Sequence, residues 1–238
     1  MDRTPEPDLM LEPDQVRAYA EGDFEQPHRR FVELLGERLP GLGRAGHAVD
    51  IGCGPGDIAC RLARALPGWK VDGLDGSAPM LAFAREAAGR AGVDDRIGFH
   101  ECYLPEGAAP RAHYDLLVSN SLLHHLADPL ALWQSIRRWA HPASAVFVMD
   151  LLRPASAREA ERLVDEYSAG EPEVLRRDFY NSLLAAYRPE EVQEQLARAG
   201  IDGLDVEVVS DRHWLVATRQ SRITPEGSRS RSTPRIGA

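Results

Sequence analysis

Lysine, cysteine and long apolar runs are all scarce in this chain of 238 residues. Lys70 is the only lysine and precedes an apolar run as an apparent surface residue, which argues against Schiff-base chemistry because that requires a buried lysine. The three cysteines, Cys53, Cys60 and Cys102, form no CxxC pair, so we expect no disulfide framework and no bound metal. No apolar run approaches the roughly twenty residues that cross a bilayer, and residues 1–13 lack the basic start of a signal peptide. These absences favour a cytoplasmic protein.

Positive charge is also in deficit, with a formal net charge of −9. This balance argues against a general electrostatic grip on nucleic acid or on an anionic membrane, since both need clustered basic residues. A local basic groove stays open as an alternative, and the Ser/Arg-rich stretch after Gln220 would be its contact. The sequence does not define the oligomeric state.

One domain is predicted, because 43% hydrophobic residues in a chain of this length suit a single α/β core. The domain covers 13–220, with an N-terminal helical lid at 13–44 and a helical cap inserted at 154–188. The leader at 1–12 and the tail at 221–238 lack apolar periodicity and are predicted to be disordered.

Apolar spacing alternates between strand and helix periods along the rest of the chain. Strands are predicted at 47–51, 69–74, 97–102, 114–119, 145–151, 204–209 and 213–217. Helices are predicted at 14–19, 28–39, 57–66, 79–91, 129–140, 156–167, 173–187 and 189–199. The alternation indicates a doubly wound, mostly parallel sheet, and the short polar turn between the last two strands indicates an antiparallel closing pair.

The segment VDIGCGPGD, residues 49–57, places three glycines between the first strand and the next helix. A dinucleotide fingerprint counted from Gly52 needs its third glycine at position 57, where this chain has Asp57. Asp50 beside the loop would repel a pyrophosphate but attract an ammonium or sulfonium group. S-adenosylmethionine carries both cations and no phosphate. The alternative is that the glycines form only a tight turn.

A second motif, GLDGS at 73–77, ends the second predicted strand. An acidic residue at this place in a nucleoside-binding fold accepts hydrogen bonds from both ribose hydroxyls, which assigns that role to Asp75. Asp75 would also serve as the N-cap of the following helix, although Ser77 is the better candidate for the cap.

The stretches VDIGCGPG, GLDGSAPMLAFAR and YDLLVSNSLLHHL resemble motif I, the acidic loop and motif IV of the class I S-adenosylmethionine-dependent methyltransferases. The resemblance covers roughly residues 28 to 218. It implies a Rossmann-like α/β fold whose seven-stranded sheet has the order 3-2-1-4-5-7-6 with an antiparallel last strand. It also implies S-adenosyl-L-methionine as cofactor and methyl transfer as activity.

The resemblance assigns roles to individual residues of the expected cofactor site. The methionyl part would be bordered by Asp50, Gly52, Gly54 and Gly56, the ribose by Asp75, and the adenine by Gly76 and Met80. Cys102 stands where the family usually has an acidic residue, so the adenine contact would pass to Glu101 or to backbone groups. The remaining expected cofactor residues are Tyr19, Cys53, Tyr103, Ser119, Asn120 and Ser121.

Methyl transfer from a sulfonium needs mostly positioning and exclusion of water, and a base helps if the acceptor is a hydroxyl. His124 and His125 follow the fourth strand, whose carboxyl end faces the cofactor crevice. The segment Leu123-His124-His125-Leu126 resembles the His-Asp-Trp stretch of small-molecule O-methyltransferases, in which the histidine is the base. The alternative is that one histidine packs under the loop while the other is solvated.

Motif IV reads SNSL at 119–122 and lacks the Asn/Asp-Pro-Pro signature of enzymes that hold planar nitrogens, which favours a small-molecule acceptor. A tRNA or protein methyltransferase stays open as an alternative. An NAD(P)-dependent oxidoreductase is disfavoured by Asp57 and by the absence of a Tyr-x-x-x-Lys pair. The acceptor pocket is expected to use polar and aromatic residues of the lid and the cap: Phe24, His28, Phe179, Tyr180, Asn181 and Tyr187.

Overall fold

A computed structural model describes residues 1–6 and 13–219. Their elements follow in chain order: α1 Pro13–Glu21, α2 Glu25–Arg38, β1 Gly46–Ile51, α3 Asp57–Ala65, β2 Trp69–Asp75, α4 Ala78–Ala91, β3 Ile97–Glu101, β4 Tyr114–Asn120, a 3₁₀ turn Leu123–His125, α5 Leu130–Trp139, β5 Ala140–Leu151, α6 Ala157–Tyr167, α7 Glu173–Ala185, α8 Pro189–Ala199, β6 Leu204–Val208 and β7 His213–Thr218. No helix among these has both the length and the apolar character needed to cross a bilayer. The tail at 221–238 lies outside the described residues.

The seven strands form one sheet in the order β3-β2-β1-β4-β5-β7-β6. Strands β1 to β5 pair in parallel, whereas β7 runs antiparallel to both of its neighbours, β5 and β6. The sequence-based prediction of a doubly wound sheet with an antiparallel closing pair is therefore confirmed. In such a sheet the carboxyl ends of β1, β2, β4 and β5 meet at one edge, which is where ligands bind in open α/β folds.

The central strands β1, β4 and β5 are mostly apolar where helices cover both faces of the sheet. In β1, Ala48 faces a core formed with helices α2, α3 and α4, while Val49 and Ile51 face a second core formed with α5 and α8. Trp133 on α5 is fully buried and donates its indole N–H to Gln195 on α8 at 2.9 Å. The indole N–H of Trp133 is thus paired within the core.

The helices begin and end at residues that satisfy their terminal backbone groups. Ser77 is the N-cap of α4 and accepts from the Met80 N–H, which confirms the expectation for Ser77 over Asp75. Gly92 and Gly200 end α4 and α8 in the left-handed conformation that glycine adopts without strain.

Helices α6 and α7 form the cap and share a small apolar core with the end of β5, which includes Leu151, Leu163 and Leu183. Helix α1 lies against the cap, and the Gln15 amide donates to Asp178 on α7 at 2.8 Å. The N-terminal helices and the cap together close over the carboxyl edge of the sheet.

Residues 1–6 differ from the predicted disordered leader. The Thr4 N–H donates to the Leu184 carbonyl at 3.0 Å, and Arg3 donates to the His124 carbonyl at 2.9 Å while its guanidinium covers the Tyr187 ring at 4.2 Å. Sequence periodicity missed these contacts because they come from single side chains and backbone groups rather than from an apolar face. The leader's second half, 7–12, lies outside the described residues.

Candidate active site

The glycine loop leaves β1 with three residues in the left-handed region, Gly52, Gly54 and Gly56, at φ of 73°, 51° and 83°. The backbone N–H groups of Gly52 and Cys53 donate to the Leu74 carbonyl at 2.7 and 3.0 Å, which ties the loop to β2. A Cβ atom on Gly54 would meet only the edge of Tyr19 at 4.0 Å, so this glycine faces open space. The loop therefore forms the floor of a cavity of about 210 Å³, called the glycine-loop cavity below.

Asp50 lines the glycine-loop cavity and is only 1% exposed. Its Oδ2 atom is buried and has no hydrogen-bond partner among the described residues. Burial and, to a smaller extent, the nearby charge of Asp75 raise the pKa of this carboxyl to about 8. An unpartnered carboxylate at this position favours a cation in the cavity, because a cation offsets the cost of burying the negative charge.

Asp75 faces the same cavity from the end of β2. Its Oδ2 accepts from the Gly54 N–H at 2.8 Å and its Oδ1 accepts from the Ser77 N–H at 2.7 Å. Burial raises the pKa of Asp75, whereas these two backbone hydrogen bonds lower it. A carboxylate has about four acceptor positions, so the carboxylate of Asp75 retains capacity for further donors such as a pair of hydroxyls.

Most of the expected cofactor residues line the glycine-loop cavity. These are Tyr19, Asp50, Gly52, Cys53, Gly54, Asp75, Gly76, Met80, Cys102, Tyr103, Asn120 and Ser121.

Three expected cofactor residues do not line the glycine-loop cavity. Gly56 packs under α4, where a Cβ would lie 2.9 Å from the Ala84 methyl group, so its role is to bring α3 close to its neighbours. Ser119 is 1% exposed and donates to the Ile51 carbonyl at 2.7 Å, which joins β4 to β1. Glu101 points to solvent and accepts from the Tyr103 hydroxyl at 2.9 Å. Successive side chains of a strand point to opposite faces of the sheet, and the side chains of Ser119 and Glu101 point away from the cavity.

A second cavity of about 500 Å³, called the cap cavity, lies between the N-terminal helices and the cap. Phe24, His28 and Phe179 line it as expected, whereas Tyr180, Asn181 and Tyr187 do not. Tyr180 packs against the apolar core of the cap, Asn181 is exposed and Tyr187 is buried beneath Arg3.

The helical period of α7 explains which of its residues line the cap cavity and which do not. The residues of α7 that line the cap cavity are Leu175, Asp178, Phe179 and Ser182, with the i, i+3, i+4, i+7 spacing of one helix face. Residues 180 and 181 follow Phe179 on other faces of the same helix. The sequence already contained this signal, but the prediction selected residues by chemical type instead of by face.

The two cavities meet. Tyr19, His28, Asn120, Ser121 and His125 line both of them and are called the junction below. Ser121 has a φ of 53°, a strained value for a residue other than glycine, and the buried Oδ1 of Asn120 has no hydrogen-bond partner among the described residues. Backbone strain and an unpartnered polar atom concentrate at functional sites, because a stable fold gains nothing from them.

His124 is buried, and its Nδ1 is hydrogen-bonded to Asp150 at the end of β5. Asp150 also accepts from the backbone N–H groups of Leu123 and Leu151, each at 2.6 Å. Burial opposes protonation of His124, but the charge and hydrogen bond of Asp150 outweigh it and raise the histidine's pKa. Asp150 was missed by the sequence analysis, although an acid after an apolar run on the strand beside β4 was a usable signal.

Two other acidic groups contact site histidines. His28 Nδ1 lies 2.7 Å from Oδ2 of Asp57, which also accepts from Arg61 at 2.6 Å. Glu6 places its Oε1 atom 3.2 Å from His125 Nδ1. From the sequence, Asp57 only argued against a dinucleotide, and Glu6 lay in the predicted disordered leader. No contact with a histidine was expected for either residue.

The sheet order and the glycine loop define the class I methyltransferase fold. Comparison with known proteins agrees: residues 49–147 match the family model described as a methyltransferase domain. The crystal structure of an S-adenosylmethionine-dependent methyltransferase from Aquifex aeolicus superposes with a TM-score of 0.65 at 18% identity, covering 88% of this chain and 98% of that one. A plantazolicin methyltransferase in complex with a substrate analogue and S-adenosylhomocysteine superposes with a TM-score of 0.67 at 14% identity, covering 88% and 91%.

Curated relatives match at higher identity over shorter stretches. The ubiquinone biosynthesis O-methyltransferase of Sodalis glossinidius is 34% identical over 58% of this chain and 55% of its own length. The 27-O-demethylrifamycin SV methyltransferase of Amycolatopsis mediterranei is 31% identical over 72% and 64%, and the trans-aconitate 2-methyltransferase of Mycobacterium tuberculosis is 35% identical over 52% and 43%. The chain thus spans less than two thirds of the length of these relatives. These comparisons support a likeness to the class I S-adenosylmethionine-dependent methyltransferases, whose fold this chain has.

Proposed function

We propose that this chain binds S-adenosylmethionine in the glycine-loop cavity and transfers its methyl group to a small-molecule acceptor in the cap cavity. The observation that carries the proposal is the junction, since five residues line both cavities. When bound, S-adenosylmethionine supplies a methyl group on a sulfonium whose departure leaves a neutral thioether. The protein's part in such an in-line displacement is to align donor and acceptor and to exclude water.

The carboxylates of the glycine-loop cavity suit this donor. Asp50 is buried without a partner for Oδ2, which favours a nearby ammonium or sulfonium. Asp75 is held by the backbone N–H groups of Gly54 and Ser77, so its remaining acceptor positions are oriented for the two ribose hydroxyls. Gly54 leaves the space that the methionyl part needs.

The charges of the cap cavity support a small molecule over a nucleic acid. Two arginines line it, Arg29 and Arg212, and carboxylates outnumber them. The carboxylates are Glu6, Asp23, Glu25, Glu171 and Asp178. A phosphate backbone would be repelled by this balance, because nucleic-acid grooves depend on basic side chains. The mixture of these charges with Phe24 and Phe179 suits an acceptor with an apolar body and a few polar groups.

We assign the acceptor atom to oxygen. One relative named above is an O-methyltransferase of ubiquinone biosynthesis by name, and another is named as a 27-O-demethylrifamycin SV methyltransferase. A hydroxyl acceptor benefits from a base within hydrogen-bond reach, and an amine or thiol depends on one less.

His124 and Asp150 supply such a base. Asp150 accepts from His124 Nδ1, which fixes the imidazole tautomer and leaves Nε2 free of a proton when the ring is neutral. Both His124 and His125 line the cap cavity, and His125 also lies at the junction. In this mechanism His124 takes the acceptor proton while His125 orients the acceptor, a contribution of typically 10² to 10⁴ in rate.

A turnover screen tests the function. The full chain is incubated with methyl-labelled S-adenosylmethionine and panels of phenols, other alcohols, carboxylates, amines and thiols, and formation of S-adenosylhomocysteine is measured. We expect acceptor-dependent product with oxygen nucleophiles and none with Gly54→Val. Transfer only to amines or thiols would overturn the oxygen assignment, and acceptor-independent or absent transfer together with no binding of S-adenosylhomocysteine would overturn the function.

A further inference from the structure

Glu6, His124 and His125 bring three donor atoms together at the wall of the cap cavity. One ligand atom from each residue lies within 4.8 Å of the other two. Glu6 Oε1 lies 3.5 Å from His124 Nε2 and 3.2 Å from His125 Nδ1. The segment 1–6 and the 3₁₀ turn after β4 are remote in sequence, so only the fold creates this cluster.

The separations match those of ligands around one ion. Bonds of about 2.0 to 2.1 Å at a tetrahedral angle place two nitrogen or oxygen ligands about 3.3 Å apart. The two Glu6 distances, 3.5 and 3.2 Å, lie on either side of this value. Two imidazoles and one carboxylate are a donor set that divalent first-row transition ions accept with further coordination positions open.

The surroundings of His124 also suit a metal ligand. Its Nδ1 is engaged by Asp150, so the lone pair of the other ring nitrogen is directed toward Glu6. A carboxylate behind a histidine is the common arrangement at metal sites, because it fixes the ring and increases its basicity.

Local charge favours a cation at the cluster. Asp150 and Asp178 place further negative charge near Glu6. The cation that acts on His124 from the same segment is Arg3, which is engaged with the His124 carbonyl and the Tyr187 ring. Arg3 thereby anchors the segment that carries Glu6, so the third donor is held in place before any ion arrives.

We propose that Glu6, His124 and His125 form a binding site for one divalent first-row transition-metal ion in the cap cavity. An ion here has open positions toward the cavity, where an oxygen of the acceptor binds. With the ion bound, the ion would replace His124 as the group that favours ionisation of an acceptor hydroxyl: the proton is released to solvent, and His124 Nε2 is a ligand instead of the base. The role toward the acceptor rests on the proposed function, whereas binding of the ion does not.

The test is titration of the chelator-treated full chain with Zn²⁺ by calorimetry and with Co²⁺ by its visible absorption. We expect one ion per chain, with affinity reduced by at least about tenfold in Glu6→Gln and His125→Asn and by about 10 to 100-fold in Asp150→Asn. The matched control is His141→Asn, because His141 also pairs with a carboxylate, Asp115 at 3.2 Å, but lies far along the sheet from the cluster. Its affinity should equal that of the parent chain.

Two results would overturn the metal site: no stoichiometric binding by the parent, or parental affinity in both Glu6→Gln and His125→Asn. The cluster would then be an ion-paired hydrogen-bond group alone. Circular dichroism of each variant checks folding, and Glu6→Gln keeps the test decisive if the buried Asp150→Asn variant fails to fold. Titration of the parent chain and of Glu6→Gln with S-adenosylhomocysteine separates this failure from failure of the proposed function, since Glu6 lies outside the lining of the glycine-loop cavity.

Discussion

The glycine-loop cavity and the cap cavity are adjacent, yet they are built in opposite ways. Two continuous stretches, 50–58 and 74–80, supply most of the lining of the glycine-loop cavity, and both follow directly from strands of the sheet. The cap cavity takes its lining from parts that are distant in sequence: the N-terminal segment, α1, α2, the end of β4 with the 3₁₀ turn after it, the end of β5, α6, α7 and the turn before β7. The proposed binding site for the cofactor is thus a local property of two strand ends, while the proposed binding site for the acceptor is a property of the assembled fold.

This difference separates the effects of substitution. Changes in the glycine-loop cavity should weaken or remove cofactor binding, because Asp50, Asp75 and the open space at Gly54 all lie there. Changes in the cap cavity should leave cofactor affinity intact and slow methyl transfer. A cap-cavity variant that loses cofactor affinity would contradict this division. Substitutions at the junction should affect both cofactor affinity and the rate of methyl transfer.

The largest expected effect is loss of cofactor binding in Gly54→Val with the fold retained. The added side chain would enter open space that we assign to the methionyl group, since among the described residues, apart from its chain neighbours, Tyr19 at 4.0 Å lies nearest to its Cβ. Calorimetric titration with S-adenosylhomocysteine measures the loss. Gly92→Val is the matched control, since Gly92 also has positive φ, at 66°, and open space around it, but ends α4 away from the cavity. Equal binding by both variants would mean that the loop is only a turn.

The next effect is a slower methyl-transfer step in His124→Ala, by about 10² to 10⁴ for a hydroxyl acceptor. The imidazole is lost while Asp75 and the glycine loop are untouched, so affinity for S-adenosylhomocysteine should stay near that of the parent. Single-turnover transfer with an acceptor found in the screen provides the measurement, with His125→Ala beside it. Parental rates in both variants would remove the two histidines from the mechanism.

Asp75→Ala should weaken cofactor binding by about 1 to 3 kcal/mol, because two hydrogen bonds to a charged acceptor are lost. The structure adds a second contribution, since Asp75 also accepts from the backbone of Gly54 and Ser77 and so holds the loop. Asp75→Asn separates the two, as its amide oxygen retains one acceptor. Unchanged affinity in Asp75→Ala, measured by calorimetry, would exclude this residue from the site.

The smallest expected effect is a pH dependence set by Asp50, whose pKa is raised to about 8 by burial. The empty protein holds this carboxyl protonated at neutral pH, so its stability falls as the pH rises from the ordinary carboxyl pKa through about 8. A bound ammonium or sulfonium favours the carboxylate. Cofactor affinity should therefore rise with pH toward about 8, with release of a proton.

Calorimetry of S-adenosylhomocysteine binding in buffers of different ionisation enthalpy measures this released proton. Asp50→Asn has no proton to release at this position and should show a flat profile over the same range. An identical pH profile in the parent and in Asp50→Asn would contradict the assignment.

The fold was predictable because each strand and helix carries its own period of apolar residues. The glycine-loop cavity was predictable because most of its lining comes from two stretches of neighbouring residues. Boundaries were less certain: β5 begins at Ala140, five residues before the predicted start, because Ala140 pairs with Tyr114 across a register shift. Glu6 and Asp150 were missed because their partners, the two histidines, lie in another part of the chain. Such pairs depend on tertiary contacts that no local pattern encodes.

The most direct test of the central claim is a parallel titration of the full chain with S-adenosylhomocysteine and with NADH. Binding is measured by calorimetry and by the melting temperature of the chain. We predict saturable binding of one S-adenosylhomocysteine per chain and an increase in melting temperature, since a ligand that binds only the folded state stabilises it. NADH should produce neither effect, because Asp50 and Asp57 stand where a pyrophosphate would lie. Binding of NADH with no response to S-adenosylhomocysteine would contradict the account.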